Sequence, residues 1–513
     1  MTISDLLTLI GIILAIFAFL SEKNREYVFL KFSVIDLSIF ILIFFFLHFL
    51  LAYDWLRDRF EWLTYFEIEN RPSPSVWAYI VSLSTLFWAT WKIFWGKFPL
   101  SNLTRVLKYY EKLLLRNDFS SLADLVEKYH LNDIIEYLKK KRSIVIKNET
   151  GFWQLDREEY NKAYNKVIKG DDLIYASNVF GRIIINDSFI DGVANNNPYL
   201  FSVLIAEMSN REVKDDEFVN RFLKQLMINK NGNLFREIKN NQNLGQFDAY
   251  AIEESRPILF ALFNDVKVAS VNQAWRGIGE QAILEFEEEA KKDYSSLREQ
   301  DSEQENDTTW SFRMTIAIWY FDIMVRQAIK QKVNDHMWMF YYVHFVEVIL
   351  KNMRPLPTPD SNQNRQSRNF DLLQDIITKT MDWKDVSLKC NNNSLVESIY
   401  DCLGRCLYEI IISDKLTRDD KQYLTNWAWE DLLKTFAEND EQRETVEKII
   451  ESGFKMFKSP TTLFSMEYRP AESQKYVDAI QFLWSERDTP ILTGVVGTRA
   501  GRFKTEIVDT IGQ

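Results

Sequence analysis

The sequence predicts a mainly α protein: three N-terminal transmembrane helices, then a large cytosolic multi-helix region with at most a small β-hairpin. Three observations lead there. Long uncharged runs are confined to the first fifth of the chain. Beyond them, charged and apolar residues alternate at spacings of three and four, the period of helices with one buried face. Strand signals gather in one stretch only, "RSIVIKNETGFWQL", Arg142 to Leu155, where "KNETG" would turn a hairpin between β-branched and aromatic residues.

The first uncharged run, "LLTLIGIILAIFAFL", covers Leu6 to Leu20 between Asp5 and Glu22. It is short against the roughly 20 residues that cross a bilayer. No Lys or Arg precedes it and no small-x-small site follows, so it reads as an uncleaved helix instead of a signal peptide. The second run is Leu37 to Tyr53 and the third occupies 74–95, giving expected spans at 6–20, 37–53 and 74–95. Trp55, Trp62 and Tyr65 flank the second run; Trp77, Trp88, Trp91 and Trp95 bracket or line the third, as amphipathic rings do at headgroup depth.

Orientation follows from lysine and arginine. The first loop carries Lys23, Arg25 and Lys31, and the second carries Arg57, Arg59 and Arg71 among acids. The dense cluster Lys92, Lys97, Arg105, Lys108, Lys112 and Arg116 breaks the tie. It places the N-terminus outside and the C-terminal region in the cytoplasm of a plasma (inner) membrane. The three cysteines, Cys390, Cys402 and Cys406, are too few and too clustered for a disulfide framework, which suits a reducing compartment. A net charge of -11 gives no support to broad nucleic-acid binding.

The expected organisation is a membrane anchor at 1–96, a helical domain at 97–354, a proline-bearing linker at 355–369 and a C-terminal helical subdomain at 370–513. Within the second of these, "FSSLADLVEKYH" and "LNDIIEYLKKK" read as two short helices capped by Ser120 and Asn132. A long helix is expected beyond Val266, running into the charged segment Glu285 to Asp307. The helices Thr308 to Lys332 and His336 to Met353 are the most apolar of this region. Arg313, Asp322, Arg326 and Lys330 interrupt the first, so the pair reads as a buried core hairpin.

Candidate chemistry is sparse. "GVVGTRAGRFKT", Gly494 to Thr505, fails as a phosphate loop, because three residues separate Gly497 from Gly501 and Arg502 follows. Glu237 and Lys239 form the Glu-x-Lys pair of some metal-dependent nucleases, with Asp215 or Asp216 as the missing acid, but such a site needs a sheet. His336 and His344 lie two turns apart on one helix, too far to share an ion directly. Cys402 and Cys406 share an apolar stripe with Ile399 and Ile410, which points to burial. The basic stretch "KKKR", Lys139 to Arg142, suits a solvated helix end or contact with anionic headgroups.

No catalytic residue, cofactor or metal site is therefore expected. His48, in "FFFLHFLLAYDW", is the residue singled out, as a helix-packing or pore-lining group. The implied function is an integral membrane protein, in contact with membrane lipids, whose cytosolic helical domains bind or sense a protein partner or a second copy. A self-assembling membrane effector of a bacterial stress or phage-defence system is one form of it. The alternative is a membrane-tethered metal-dependent hydrolase or nuclease.

Overall fold

The computed structural model describes residues 22–60, 73–146, 164, 167–196, 198–242, 252–292, 312–333, 337–353, 367–390, 393–417, 419–425 and 428. Helix accounts for 84% of the structure and no strand forms among the described residues, which puts the chain in the mainly α class. The chain divides into two compact units, Met1–Phe189 and Ile190–Gln513.

The first unit opens with helix α1 (Glu22–Leu30), followed by α2 (Val34–Leu51), α3 (Tyr53–Arg59) and α4 (Pro74–Phe94). Ser33 starts α2 with a capping box: its hydroxyl accepts from the Asp36 N–H at 3.1 Å, while its own N–H donates to the Asp36 carboxylate at 2.6 Å. Two otherwise orphaned donors are thereby satisfied. At α4 the cue is Pro74, whose fixed φ suits the first helical position.

Of the three expected spans, one helix, α2, is long and apolar enough to cross a membrane among the described residues. The first run, 6–20, lies outside them. The third does form a helix, the 21-residue α4, but Ser75, Ser82, Ser84, Thr85 and Thr90 interleave with its apolar residues and dilute them.

Three further helices complete this unit: α5 (Leu103–Leu115), α6 (Phe119–Ile146) and α7 (Asp171–Val179). Val106, Tyr110, Leu122, Val126, Ile134 and Val179 form their fully buried interior. The two short helices expected between Ser120 and Arg142 are one continuous helix, α6, and Asn132 sits within it instead of capping. The expected hairpin is also corrected, since residues 142–146 continue α6 and the rest of that stretch lies outside the described residues. Extending an existing helix fixes one residue per new hydrogen bond, which overrides the weak strand preference of Ile144, Val145 and Ile146.

The second unit contains α8 (Asp187–Asn196, which begins at the boundary), α9 (Tyr199–Asn210), α10 (Asp216–Ile228), α11 (Asn233–Gln242), α12 (Pro257–Phe263), α13 (Val266–Val271) and α14 (Ala274–Ala290). Then come α15 (Arg313–Gln331), α16 (Tyr341–Asn352), α17 (Arg368–Cys390) and α18 (Asn393–Ile412). The long helix expected beyond Val266 is broken between α13 and α14, where Gln273 takes a left-handed φ of 50°. Helix α14 packs closely on α10, and the contact needs glycine: a Cβ on Gly277 would lie 2.5 Å from the Asn220 carbonyl oxygen. Helices α15 to α18 enclose Trp338, Tyr342, Phe321 and Trp383, all fully buried, and α15 and α16 are core helices as their charge pattern implies.

Candidate functional site: an apolar hairpin on an aromatic and charged base

Helices α2 and α4 run antiparallel. Asp36 pairs with Lys92 at one end, the Phe40 and Trp88 rings meet at 5.0 Å, and Leu47 packs on Ala78 toward the other end. This seam uses one stripe of each helix, so the remaining faces are left uncovered. Leu42 is 67% exposed, Phe45 65% and Phe87 73%, and Phe46, Trp77, Ile80 and Leu83 are exposed beside them. Monomeric soluble proteins rarely present a continuous apolar surface of this extent.

His48 lies on one of these uncovered faces. Its Nδ1–H donates to the Phe44 carbonyl one turn back at 2.9 Å, and its ring rests 4.2 Å from the Phe44 ring. Because a carbonyl only accepts, Nδ1 is the donor in this bond, and Nε2 is the second polar atom of this exposed side chain.

The base of the hairpin is polar and densely packed. The Lys92 ammonium bonds Asp36 and lies 5.4 Å from the Trp88 ring, so charge and aromatic face are matched where the hairpin ends. Two residues before Ser33, Lys31 is fully buried. Its ammonium sits 3.7 Å from the Tyr129 ring centre, 4.5 Å from Phe98 and 5.5 Å from Tyr27, and it donates to the Gly96 carbonyl. Asn102 adds a second clamp by donating to the Leu30 carbonyl at 3.0 Å and the Phe32 carbonyl at 2.8 Å. The connection into α2 is therefore held by the connection out of α4.

Behind Lys31, His130 stacks on Tyr175 at 5.4 Å and on Phe98 at 5.8 Å, and its Nε2 shares a 2.8 Å hydrogen bond with the Tyr110 hydroxyl. Burial, then the charge of Lys128, lowers the Lys31 pKa to about 7. The three rings and the Gly96 carbonyl act in the opposite sense, since each favours the ammonium form. Burial, followed by the charges of Lys31 and Lys97, pushes His130 down to about 3, so it is neutral in the folded protein. With Lys31, Asn102 and His130 each enclosed and bonded, the cluster is built as a rigid joint between the hairpin and α5, α6 and α7.

A second polar cluster lies in the other unit. Asp322, with no exposed surface, accepts from Trp383 Nε1 at 2.7 Å, Arg326 Nε at 2.9 Å and Lys379 Nζ at 3.1 Å. Arg326 also reaches Asp382 at 3.0 Å, and the Trp319 indole donates to Asp375 at 3.1 Å. Burial raises the pKa of both Asp375 and Asp382, opposed by Lys379 and Arg326 respectively. Each Asp322 oxygen is engaged, so this network ties α15 to α17 and presents no group for chemistry.

The remaining sequence candidates occupy structural positions. Glu237 is buried on α11 and caps α12: Oε2 accepts from the Ile258 N–H at 3.1 Å and the Leu259 N–H at 2.9 Å. Burial raises its pKa to about 7, against the lowering effect of those two N–H groups and Arg256. Asp215 caps α10 by accepting from the Phe218 N–H at 2.9 Å. No group of three His, Cys, Asp or Glu residues is placed to hold a metal ion among the described residues. His344 bonds Glu347 at 3.2 Å on an exposed face, and His336 lies outside the described residues. Cys402 and Cys406 are fully buried, with the Cys402 thiol directed at the Met339 carbonyl. On α6, Lys140 pairs with Glu136 and Lys141 lies over the Phe180 ring.

Sequence reasoning missed Lys31, His130 and Lys379. The signals available were weak: a lysine inside "YVFLKFSVID" and a Tyr-His pair in "VEKYHL", neither of which belongs to a motif. No protein-family model, curated protein or solved structure matches the chain.

Proposed function

We propose that this is a membrane-anchored helical protein whose α2–α4 hairpin enters the bilayer of the plasma (inner) membrane and whose helical region works on the cytoplasmic side. The observation that carries this reading is the hairpin's uncovered apolar surface, which water would leave unsatisfied and lipid would cover. The two ends of the hairpin agree with it. Lys31 and Lys92 share one end with the basic helix α5, the side that lysine and arginine mark as cytoplasmic. On this reading the chain is an anchor and scaffold, and its helical units bind a protein partner or a second copy.

His48 favours an extension. The exposed imidazole carries a second ring nitrogen into the hydrocarbon, which is costly unless another helix or a wet pore meets it. Water in a pore lined by several copies would bond it, which is the geometry of the self-assembling membrane effector.

Resistance to alkaline extraction tests the anchor: the full chain stays with the membrane pellet if the hairpin is embedded, and release into the supernatant contradicts it. For the extension, His48→Leu retains membrane insertion and abolishes the loss of membrane potential that overproduction of the wild-type chain causes. A wild-type chain that leaves the potential intact removes the effector form.

A further inference from the structure

The outer face of α5 carries a feature that the hairpin alone does not require. Arg105, Lys108, Lys112 and Arg116 recur at spacings of three and four, which sets four cations in one stripe along a helix of 13 residues. The opposite face of α5 is buried in its unit through Val106, Tyr110 and Leu113, so the stripe is the side turned outward. Lys112 is paired with Glu26, while Arg105, Lys108 and Arg116 are exposed. At the end of the stripe Leu115 is 82% exposed, and on α1 Phe29 is 58% exposed near the cation Arg25. The stripe is joined directly to the hairpin base, since Asn102, which precedes α5, holds the Leu30 and Phe32 carbonyls. A cationic ridge with apolar side chains at its edges, fixed at the cytoplasmic end of an apolar hairpin, is the pattern of an interfacial helix.

We infer that the outward face of α5 is a docking surface for the anionic phosphate headgroups of the cytoplasmic leaflet, with Arg105, Lys108 and Arg116 as the contacting cations. The inference rests on the reading of α2 and α4 as membrane-embedded. Charge complementarity identifies the occupant: the chain carries a net charge of -11, yet this ridge is positive where an anionic leaflet would lie. Leu115 and Phe29 would enter the headgroup boundary, which a solvated polyanion does not offer.

The test uses the full chain in lipid nanodiscs, with hydrogen exchange read across residues 103–115. Discs containing phosphatidylglycerol should slow exchange there relative to phosphatidylcholine discs. The difference should fall roughly fivefold for each cation removed. It should vanish in the triple variant Arg105→Gln, Lys108→Gln, Arg116→Gln, and near 1 M salt, where the Debye length is about 3 Å. Unchanged exchange in α7, which belongs to the same unit, checks that the variant is folded. Equal exchange in the two lipids overturns the inference and leaves the anchor intact. Slowing by inorganic phosphate in phosphatidylcholine discs also overturns it, in favour of a small-anion site. A chain that does not enter the discs overturns the anchor, and this inference with it.

Discussion

Two helical pairs in this protein are rich in apolar residues and have opposite surroundings. Helices α15 and α16 bury almost all of it: Ile316, Ile318, Phe321, Met324, Phe345 and Val346 have no exposed surface. Helices α2 and α4 meet along one stripe, through Asp36 with Lys92, Phe40 with Trp88 and Leu47 with Ala78, and leave Leu42, Phe45 and Phe87 bare. The polar residues show what separates the pairs. Within α15, Asp322 and Arg326 bond each other and reach Lys379 and Asp382, so the helix carries charge into a protein interior and satisfies it there. In α2 the charge is held at the base, on Asp36, and the last turn has His48, turned back on its own backbone. A core helix tolerates charge if partners converge on it. A helix facing lipid has none to offer and keeps charge at its ends.

Substitutions should therefore act differently in the two pairs. The largest effect is expected for Asp322→Ala, which leaves Lys379 and Arg326 as buried cations without their shared partner. A loss of about 3–5 kcal/mol is expected in denaturant unfolding of the second unit. A charge on the uncovered face should act on insertion: Phe45→Lys should cost about 3 kcal/mol in membrane partitioning while leaving the second unit's unfolding unchanged. The same lysine at Ile318 should unfold that unit without altering insertion, and equal behaviour of the two variants would erase the distinction. Gly277→Ala forces a Cβ against the Asn220 carbonyl and should cost about 1–3 kcal/mol, read as a lower unfolding midpoint.

The effects of pH, each at most about 1.4 kcal/mol per pH unit, also differ between the units. His130 is held near 3 in the fold against an ordinary value near 6.5. Between those values the unfolded chain binds the extra proton, so stability of the first unit falls as pH drops below about 6.5, by up to about 1.4 kcal/mol per pH unit. Glu237 has the opposite sign. With its pKa raised to about 7 from 4.5, the folded state holds the extra proton between those values. The second unit therefore loses stability as pH rises through that window, and Glu237→Gln should flatten the dependence.

Periodicity made the helical class legible, because a buried face leaves a mark every three or four residues wherever a helix packs. It identified α15 as core from Arg313, Asp322, Arg326 and Lys330, and α16 from an uncharged run, Met337 to Val346, too short to span. The span count is met in part: among the described residues α2 alone is apolar enough by length and composition, because in α4 serines, threonines and tryptophans share the helix with its aliphatic residues. The base of the hairpin was illegible for another reason. Lys31, Phe98, Tyr129 and His130 come from three separate segments, and only the fold brings them within one cage. Glu237 shows the converse: the Glu-x-Lys pattern was visible, but its capping of α12 depends on a partner some twenty residues away.

Accessibility of the hairpin face tests the membrane anchor most directly. Phe45→Cys and the control Tyr199→Cys, whose position is exposed on α9, would each be placed in a Cys390→Ser background and treated with a water-soluble maleimide in opened membranes. Phe45→Cys should remain unlabelled until detergent is added, while Tyr199→Cys labels at once. Labelling of Phe45→Cys as fast as Tyr199→Cys without detergent would mean that water, and not lipid, covers α2.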